Sequence, residues 1–362
     1  MEFMSAKEAA NKWGISQRRV AILCSENRVG GAQMIGKTWI IPAEAEKPMD
    51  ARITRYKTQE NETAKPFLKW AGGKTQLLSE IEKYYPFQLG KITKYAEPFI
   101  GGGAVLFDIL NKYKLEEVYI SDINAELVNT YCVVRDDVDS LVTILRDMEN
   151  EYISLDSEKR KQYYTAMRSR FNEMKVSDQS TGNINKAALM IFLNKTCFNG
   201  LFRVNKKGLF NVPIGAYKKP VICDEKNLRL VSKKLQNVKI VHGDYRKCLG
   251  FVDDQTFVYF DPPYRPLTCT SNFTSYTESV FDDKAQLELA EYVDCLHKKG
   301  TYILVSNSDP KNTDPKDDFF EKAYEGYYIS QIDATRMINS NSKGRGKIKE
   351  LLISNFVPEE SN

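Results

Sequence analysis

Beyond residue 66 the chain alternates short apolar runs with stretches of helical period. The runs KYAEPFI (94–100), EEVYISD (116–122), NVKIVHGD (237–244), TFVYFDPPY (256–264) and TYILVSNSD (301–309) each end in a turn or an acidic residue. Buried strands separated by helical segments predict an α/β sheet wound with crossover helices. Such sheets bind ligands at the carboxyl ends of their strands, so the terminal acids are expected to face one crevice. Between about 130 and 235 the alternation stops, and helical pattern gives way to a loop rich in Asn, Gly and Lys; this reads as an insertion. The first fifty residues form a separate pattern. Ser5 precedes Ala6, Ala9, Ala10 and Trp13 at helical spacing, with Glu8 completing a capping box. Gly14 marks a turn, Ser16 opens a second helix through Val20 and Leu23, and RVGGAQMIGKTWIIP (28–42) reads as a hairpin about Gly36-Lys37. Residues 44–65 are polar and without period, as in a linker. The expected organisation is a module at 1–43, a linker at 44–65 and a main domain at 66–362 that carries the 130–235 insertion.

Composition narrows the chemistry. The 362 residues are 42% hydrophobic, enough for a sizeable core and two or three domains. A formal charge of +4 is compatible with nucleic acid without requiring it. The cysteines (24, 132, 197, 223, 248, 269, 295) include no CxxC pair and are odd in number, which predicts a reduced cytoplasmic protein rather than a disulfide framework. With two histidines, His242 and His297, a His-based metal site or Ser-His-Asp triad is disfavoured, and no metal is expected. No apolar run reaches the length of a membrane span.

The segment FLKWAGGKT (67–75) ends like a nucleotide-triphosphate loop, but Leu68 stands where that loop needs its first glycine, and Trp70 fills the phosphate's space. EPFIGGGAVLF (97–107) lies between a strand and a helix; its glycines let the backbone approach a ligand closely. Asp122 in YISDIN sits where an acid accepts ribose hydroxyls. The dinucleotide fingerprint is broken because Leu106 replaces its third glycine. An adenosine-bearing ligand without a pyrophosphate fits better, and S-adenosylmethionine is the candidate; the plain alternative is a glycine turn. In VYFDPPYRP, Pro262 and Pro263 stiffen a turn just beyond a strand. Asp261 and the Pro262 carbonyl can accept both protons of an exocyclic amine, and Tyr264 can stack on a planar amino-purine. Polarising the amine in this way frees its lone pair for direct attack on a sulfonium methyl, so the gain is positioning and electrostatics. No Pro-Cys pair exists, which disfavours methylation at cytosine C5.

FLKWAGGKTQLL, EPFIGGGAVLF, YISDIN, CFNGLFRVNKKGLFNVPIGAYKKP and VYFDPPYRPLTCTSNFTSY occur in the order of the Dam-type (D12 class, α-group) DNA adenine-N6 methyltransferases, which the chain resembles from Pro66 to about Phe356. The resemblance implies a Rossmann-like S-adenosylmethionine-dependent sheet with a mainly helical target-recognition insertion containing a β-hairpin. It implies a cofactor site made of Trp70, Lys74, Phe99, Gly101, Gly103, Asp122, Asp244, Tyr245 and Asp261, with Lys74 meeting the methionine carboxylate. It implies catalysis by Asp261, Pro262, Pro263 and Tyr264 on double-stranded DNA after base flipping. Phe198 matches an intercalating aromatic with Asn199 beside it as a backbone contact, Arg203 a guanine reader, and Lys69, Leu201, Pro213 and Tyr217 the remaining base-reading positions of members specific for GATC. A cognate restriction endonuclease and a cytoplasmic, nucleoid-associated setting in a bacterium or phage follow from the same likeness. INSNSKGRGK (338–347) reads as a phosphate-following loop or a solvated one. Relatives in RNA or glutamine methylation usually show Asn at the position of Asp261. A DNA-binding regulator with an inactive methylase body is the non-enzymatic alternative.

The amino-terminal pattern departs from members that start almost at FLKWAGGK. It resembles the winged helix–turn–helix of excisionase- and MerR-like DNA binders, with Gln17, Arg18 and Arg19 suited to a major groove. A small adaptor or dimerisation module is the alternative.

Overall fold

The computed structural model describes residues 3–13, 15–25, 29–36, 38–45, 63–177, 182–265, 281–335 and 347–357. Gly14, Lys37, most of the 44–65 linker, Cys269 and all but the last residue of the 338–347 loop lie outside them. The chain forms two compact units, 1–62 and 63–362.

In the first unit, strand β1 (Phe3–Ser5) leads into helices α1 (Ala6–Trp13) and α2 (Gln17–Ser25), then strands β2 (Gln33–Ile35) and β3 (Thr38–Pro42). The capping box is present: the Ser5 backbone N–H donates to Glu8 Oε2 at 2.7 Å, and the Glu8 N–H donates to Ser5 Oγ at 3.3 Å. Strand β1 is an addition to the sequence reading. It pairs antiparallel with β3, which also pairs with β2, giving the sheet order β1-β3-β2. Ala9, Val20, Leu23 and Ile41 close a small core between helices and sheet.

The second unit is built on a seven-stranded sheet of order β6-β5-β4-β7-β8-β10-β9. Strands β4 (Lys94–Glu97), β5 (Glu117–Asp122), β6 (Val238–His242), β7 (Thr256–Phe260) and β8 (Tyr302–Ser308) coincide with the five apolar runs and are mutually parallel. Every residue of β7 is buried, as expected of a central strand covered on both faces. Strands β9 (Tyr328–Thr335) and β10 (Lys347–Ser354) run antiparallel at the far edge, an element pair the sequence reading did not assign. Chain order reverses between β4 and β7. The segments following those two strands, the glycine loop and the Asp-Pro-Pro-Tyr turn, therefore leave the sheet side by side, at a topological switch point.

After the short helix α3 (Leu78–Ile81), helices α4 (Ala104–Lys112), α5 (Ala125–Asp136), α9 (Glu225–Leu235) and α10 (Asp283–His297) connect the parallel strands, and α11 (Phe319–Ala323) precedes β9. Between α5 and α9 stand α6 (Val138–Ser154), α7 (Ser157–Ser177) and α8 (Ile184–Thr196). Helix α8 is buried on almost every side, because α5, α6 and α7 all pack on it. It delivers the chain to a segment closed by the antiparallel bridges Cys197↔Ile214 and Val204↔Phe210.

Candidate functional site

Beyond β4, the chain turns through Gly101 (φ +46°) and Gly103 (φ +71°) into α4. A Cβ at Gly101 would lie 2.8 Å from Trp70 Cδ1, and one at Gly103 would lie 2.6 Å from the Tyr131 hydroxyl oxygen. Both glycines are thus demanded by backbone conformation and by close approach. Trp70 lies against this loop and stacks on Phe202 of the insertion, with centroids 5.3 Å apart. Asp122, at the end of β5, accepts hydrogen bonds from the Gly101 and Asn124 backbone N–H groups at 3.1 and 2.9 Å. Burial raises its pKa above the usual carboxylate range, against the pull of those donors. Phe99 stacks on Tyr245 at 5.3 Å, and Asp244 caps the turn Tyr245–Gly250 by accepting from the Arg246 N–H at 2.9 Å.

Asp261 follows the buried β7. Its Oδ1 lies 2.8 Å from Lys74 Nζ and accepts from Ser306 Oγ at 3.0 Å. Lys74 is only 4% exposed; it also donates to the Gly72 carbonyl at 2.8 Å and sits 4.6 Å from the Tyr264 ring centre. The resemblance implies a cofactor carboxylate as a partner of this ammonium; in the structure it rests on Asp261, an anion of the kind a buried ammonium requires. Glu97 completes the group: the Tyr95 hydroxyl donates to its Oε2 at 2.7 Å. Burial drives the Glu97 pKa far upward, and the like charge of Asp261 pushes the same way.

The proline turn is held by groups with no counterpart in the sequence motifs. Gln286 Nε2 donates to the Pro263 carbonyl at 3.0 Å, and Asn307 Nδ2 donates to Gln286 Oε1 at 3.1 Å. Asn307 Oδ1 accepts from the Arg265 N–H at 3.3 Å. Arg265 pairs with Asp283 and Asp317 and covers the Phe319 ring at 4.2 Å. The Tyr264 hydroxyl donates to Glu350 Oε2 on β10 at 2.6 Å. The one available signal was the polar Ser306-Asn307-Ser308 ending of an apolar strand, and all three residues are buried.

The strand-end acids do not all converge. Glu97 and Asp261 interact with each other and with Lys74. Asp309 instead caps the turn after β8, accepting from the Lys311 N–H at 2.9 Å and from Gln331 Nε2 at 2.6 Å. Asp244 likewise spends an oxygen on its own following turn. Where a tight turn follows a strand, the nearest backbone donors claim the carboxylate.

The predicted DNA-reading residues are tied to the Trp70 turn by one amide. Asn194 accepts from the Lys69 N–H at 2.9 Å and donates to the carbonyls of Lys69 and Gly200 at 2.8 and 3.0 Å. Lys69 Nζ lies 5.2 Å from the Tyr217 ring centre. Phe198 is 52% exposed, and its N–H donates to the carbonyl of the exposed Pro213 at 2.9 Å. Asn199 is the single positive-φ residue other than glycine among the described residues (φ 57°). Leu201 is half-buried against the core, and Arg203 Nε donates to Asn211 Oδ1 at 2.8 Å. Helix α7 straps this segment: Asn172 exchanges hydrogen bonds with both the N–H and the carbonyl of Phe210, at 2.8 and 3.1 Å.

Residues 70–338 match the family model for D12 class N6 adenine-specific DNA methyltransferases. The chain belongs to this family. It is 52% identical over 295 residues to the type II methyltransferase M.MjaIII of Methanocaldococcus jannaschii, covering 81% of this chain and 99% of that protein. It is 36% identical to the DNA adenine methylase of Haemophilus influenzae over 80% of this chain and 92% of that one. With the Escherichia coli (strain K12) DNA adenine methylase the identity is 33% over 79% and 93% of the two chains. The methyltransferase therefore acts on adenine in DNA and takes its methyl group from S-adenosyl-L-methionine. The residues present suit that donor: Gly101 and Gly103 let the loop after β4 pack tightly on Trp70 and Tyr131, and the Asp122 carboxylate stands beside that loop. Among the described residues no cluster of His, Cys, Asp and Glu could hold a metal ion, and no helix is long and apolar enough to cross a membrane.

Proposed function

We propose that the enzyme methylates adenine N6 within GATC in duplex DNA after extruding the base from the helix. The observation that carries this reading is the meeting of two loops at the β4–β7 switch point: the glycine cradle, and the turn that sets Asp261 and Tyr264 beside it. S-adenosyl-L-methionine supplies an electrophilic methyl group; the protein's part is to hold it and to make a poorly nucleophilic amine attack. Trp70, Gly101 and Gly103 shape the cradle, Asp122 retains lone pairs for ribose hydroxyls, and Phe99, Asp244 and Tyr245 border the adenine ring. Lys74 serves the methionine carboxylate from the position where it also pairs with Asp261. Asp261 and the Pro262 carbonyl accept the two amino protons while Tyr264 stacks on the base, which draws N6 toward tetrahedral geometry.

Phe198 enters the base stack, with Asn199 as a backbone contact, and supports extrusion, a cost of a few kcal/mol. Arg203 reads guanine through a bidentate contact, with Lys69, Leu201, Pro213 and Tyr217 reading the other positions. The exposure of Phe198 and the Asn194 tie between the two segments support this assignment. The first unit is a winged helix–turn–helix that adds a second DNA contact, with α2 as its groove helix. The type II name of the Methanocaldococcus relative favours a restriction–modification setting, with a cognate endonuclease as partner, in the cytoplasm near the nucleoid. Methyl transfer to paired oligonucleotides tests the target. Labelling of a GATC duplex and not of a scrambled duplex supports the reading, and equal labelling of both contradicts the specificity.

A further inference from the structure

Tyr264 is a long way from β10 in sequence, yet its hydroxyl reaches across the end of β8 to that strand and donates to Glu350 Oε2 at 2.6 Å. Glu350 lies in register with Ser308 on β8 and with Ile332 on β9, so it is fixed in the sheet rather than carried by a loop. Ser306 and Asn307 of the adjoining β8 hold the side chain of Asp261 and the N–H of Arg265. Without Glu350, the backbone of the Tyr264 turn would still be fixed, but the ring would keep freedom about its side-chain torsions. A hydrogen bond from the far end of the ring to a carboxylate removes that freedom, and a charged acceptor makes the bond strong.

We infer that Glu350 is a positioning residue for methyl transfer: it sets the plane of the Tyr264 ring and so the orientation in which an extruded purine stacks. The inference rests on the reading of Tyr264 as the stacking residue. In this role Glu350 works on the reaction through the Tyr264 ring that its carboxylate holds. A stacking platform turned out of plane still accepts the base but presents N6 off the line of attack, so the loss falls on kcat rather than on binding.

The test compares Glu350→Ala, Glu350→Gln, Tyr264→Phe, Tyr264→Ala and the Glu350→Ala/Tyr264→Phe double variant in the full chain. The measurements are kcat, KM for a GATC duplex, and S-adenosylmethionine affinity by calorimetry. Glu350→Ala and Tyr264→Phe each lower kcat by about tenfold, leaving KM and cofactor affinity within about twofold. Glu350→Gln keeps an acceptor oxygen and recovers most of kcat. The double variant is no slower than either single one, because both remove the same bond. Wild-type kcat in Glu350→Ala, or independent multiplying losses in the double variant, overturns the inference. Should Glu350→Ala fail to fold, Tyr264→Phe against Glu350→Gln decides, since Tyr264→Phe leaves β10 untouched. If Tyr264→Ala transfers methyl groups at the wild-type rate, the stacking reading itself fails; if it is inactive while Glu350→Ala is normal, only the positioning role fails.

Discussion

Lys74 and Asp261 form a buried pair in which each charge depends on the other: the lysine is 4% exposed and the aspartate side chain 20%. Removing one partner strands the other, so Lys74→Met is expected to cost about 3 kcal/mol in urea unfolding. Asp261→Asn on that background should restore part of the loss, because the orphaned charge is gone. Glu97 gives a test by pH. Its carboxyl has a raised pKa in the folded state through burial, so it contributes stability at low pH and loses it as pH rises through that folded value. Glu97→Gln, which mimics the neutral acid, should flatten that part of the pH–stability curve above the ordinary carboxylate range; an unchanged curve would contradict the assignment. At this scale the sequence discloses the groups that punctuate it. Gly101, Gly103, Trp70 and the Asp261–Tyr264 turn are legible from spacing and from proline and glycine stereochemistry. Gln286 and Glu350 are not, because each reaches the turn from a separate element and nothing local marks it, and Asn307 is marked only by the polar ending of its apolar strand.

Among the elements, the five parallel strands are legible because central strands are apolar on both faces and end in turns. The antiparallel pair β9 and β10 is harder to see. Ile332 and Ala334 alternate with exposed Gln331 and Asp333, a half-buried pattern easily lost in a charged stretch. In the insertion, helical pattern is legible in general terms, but the task of α7 in strapping the segment after α8 is not. Asn172 imitates a strand partner for Phe210. Asn172→Ala leaves both Phe210 backbone groups unpaired at that point. It is expected to lower stability by about 1–3 kcal/mol, seen as a fall in Tm of several degrees. It should also weaken GATC discrimination while leaving cofactor affinity unchanged; intact discrimination would show that the strap does not set the reading geometry.

For the whole molecule, the division into units 1–62 and 63–362 means that the methyltransferase core carries its own sheet, cradle and turn. The 63–362 fragment is expected to fold cooperatively and to methylate short GATC duplexes at near the full-chain rate. If the first unit contacts DNA as proposed, affinity for long DNA should fall and become less sensitive to salt when that unit is removed. Identical salt slopes for fragment and full chain would remove the first unit from DNA binding. The central claim concerns the switch point, and single-turnover transfer followed by mass spectrometry of the digested duplex tests it most directly. Wild-type enzyme should yield N6-methyladenine at GATC, and Asp261→Ala should lower the rate by about a thousandfold or more while calorimetry still detects S-adenosylmethionine binding. N4-methylcytosine as the product, or an unchanged rate in Asp261→Ala, would contradict it.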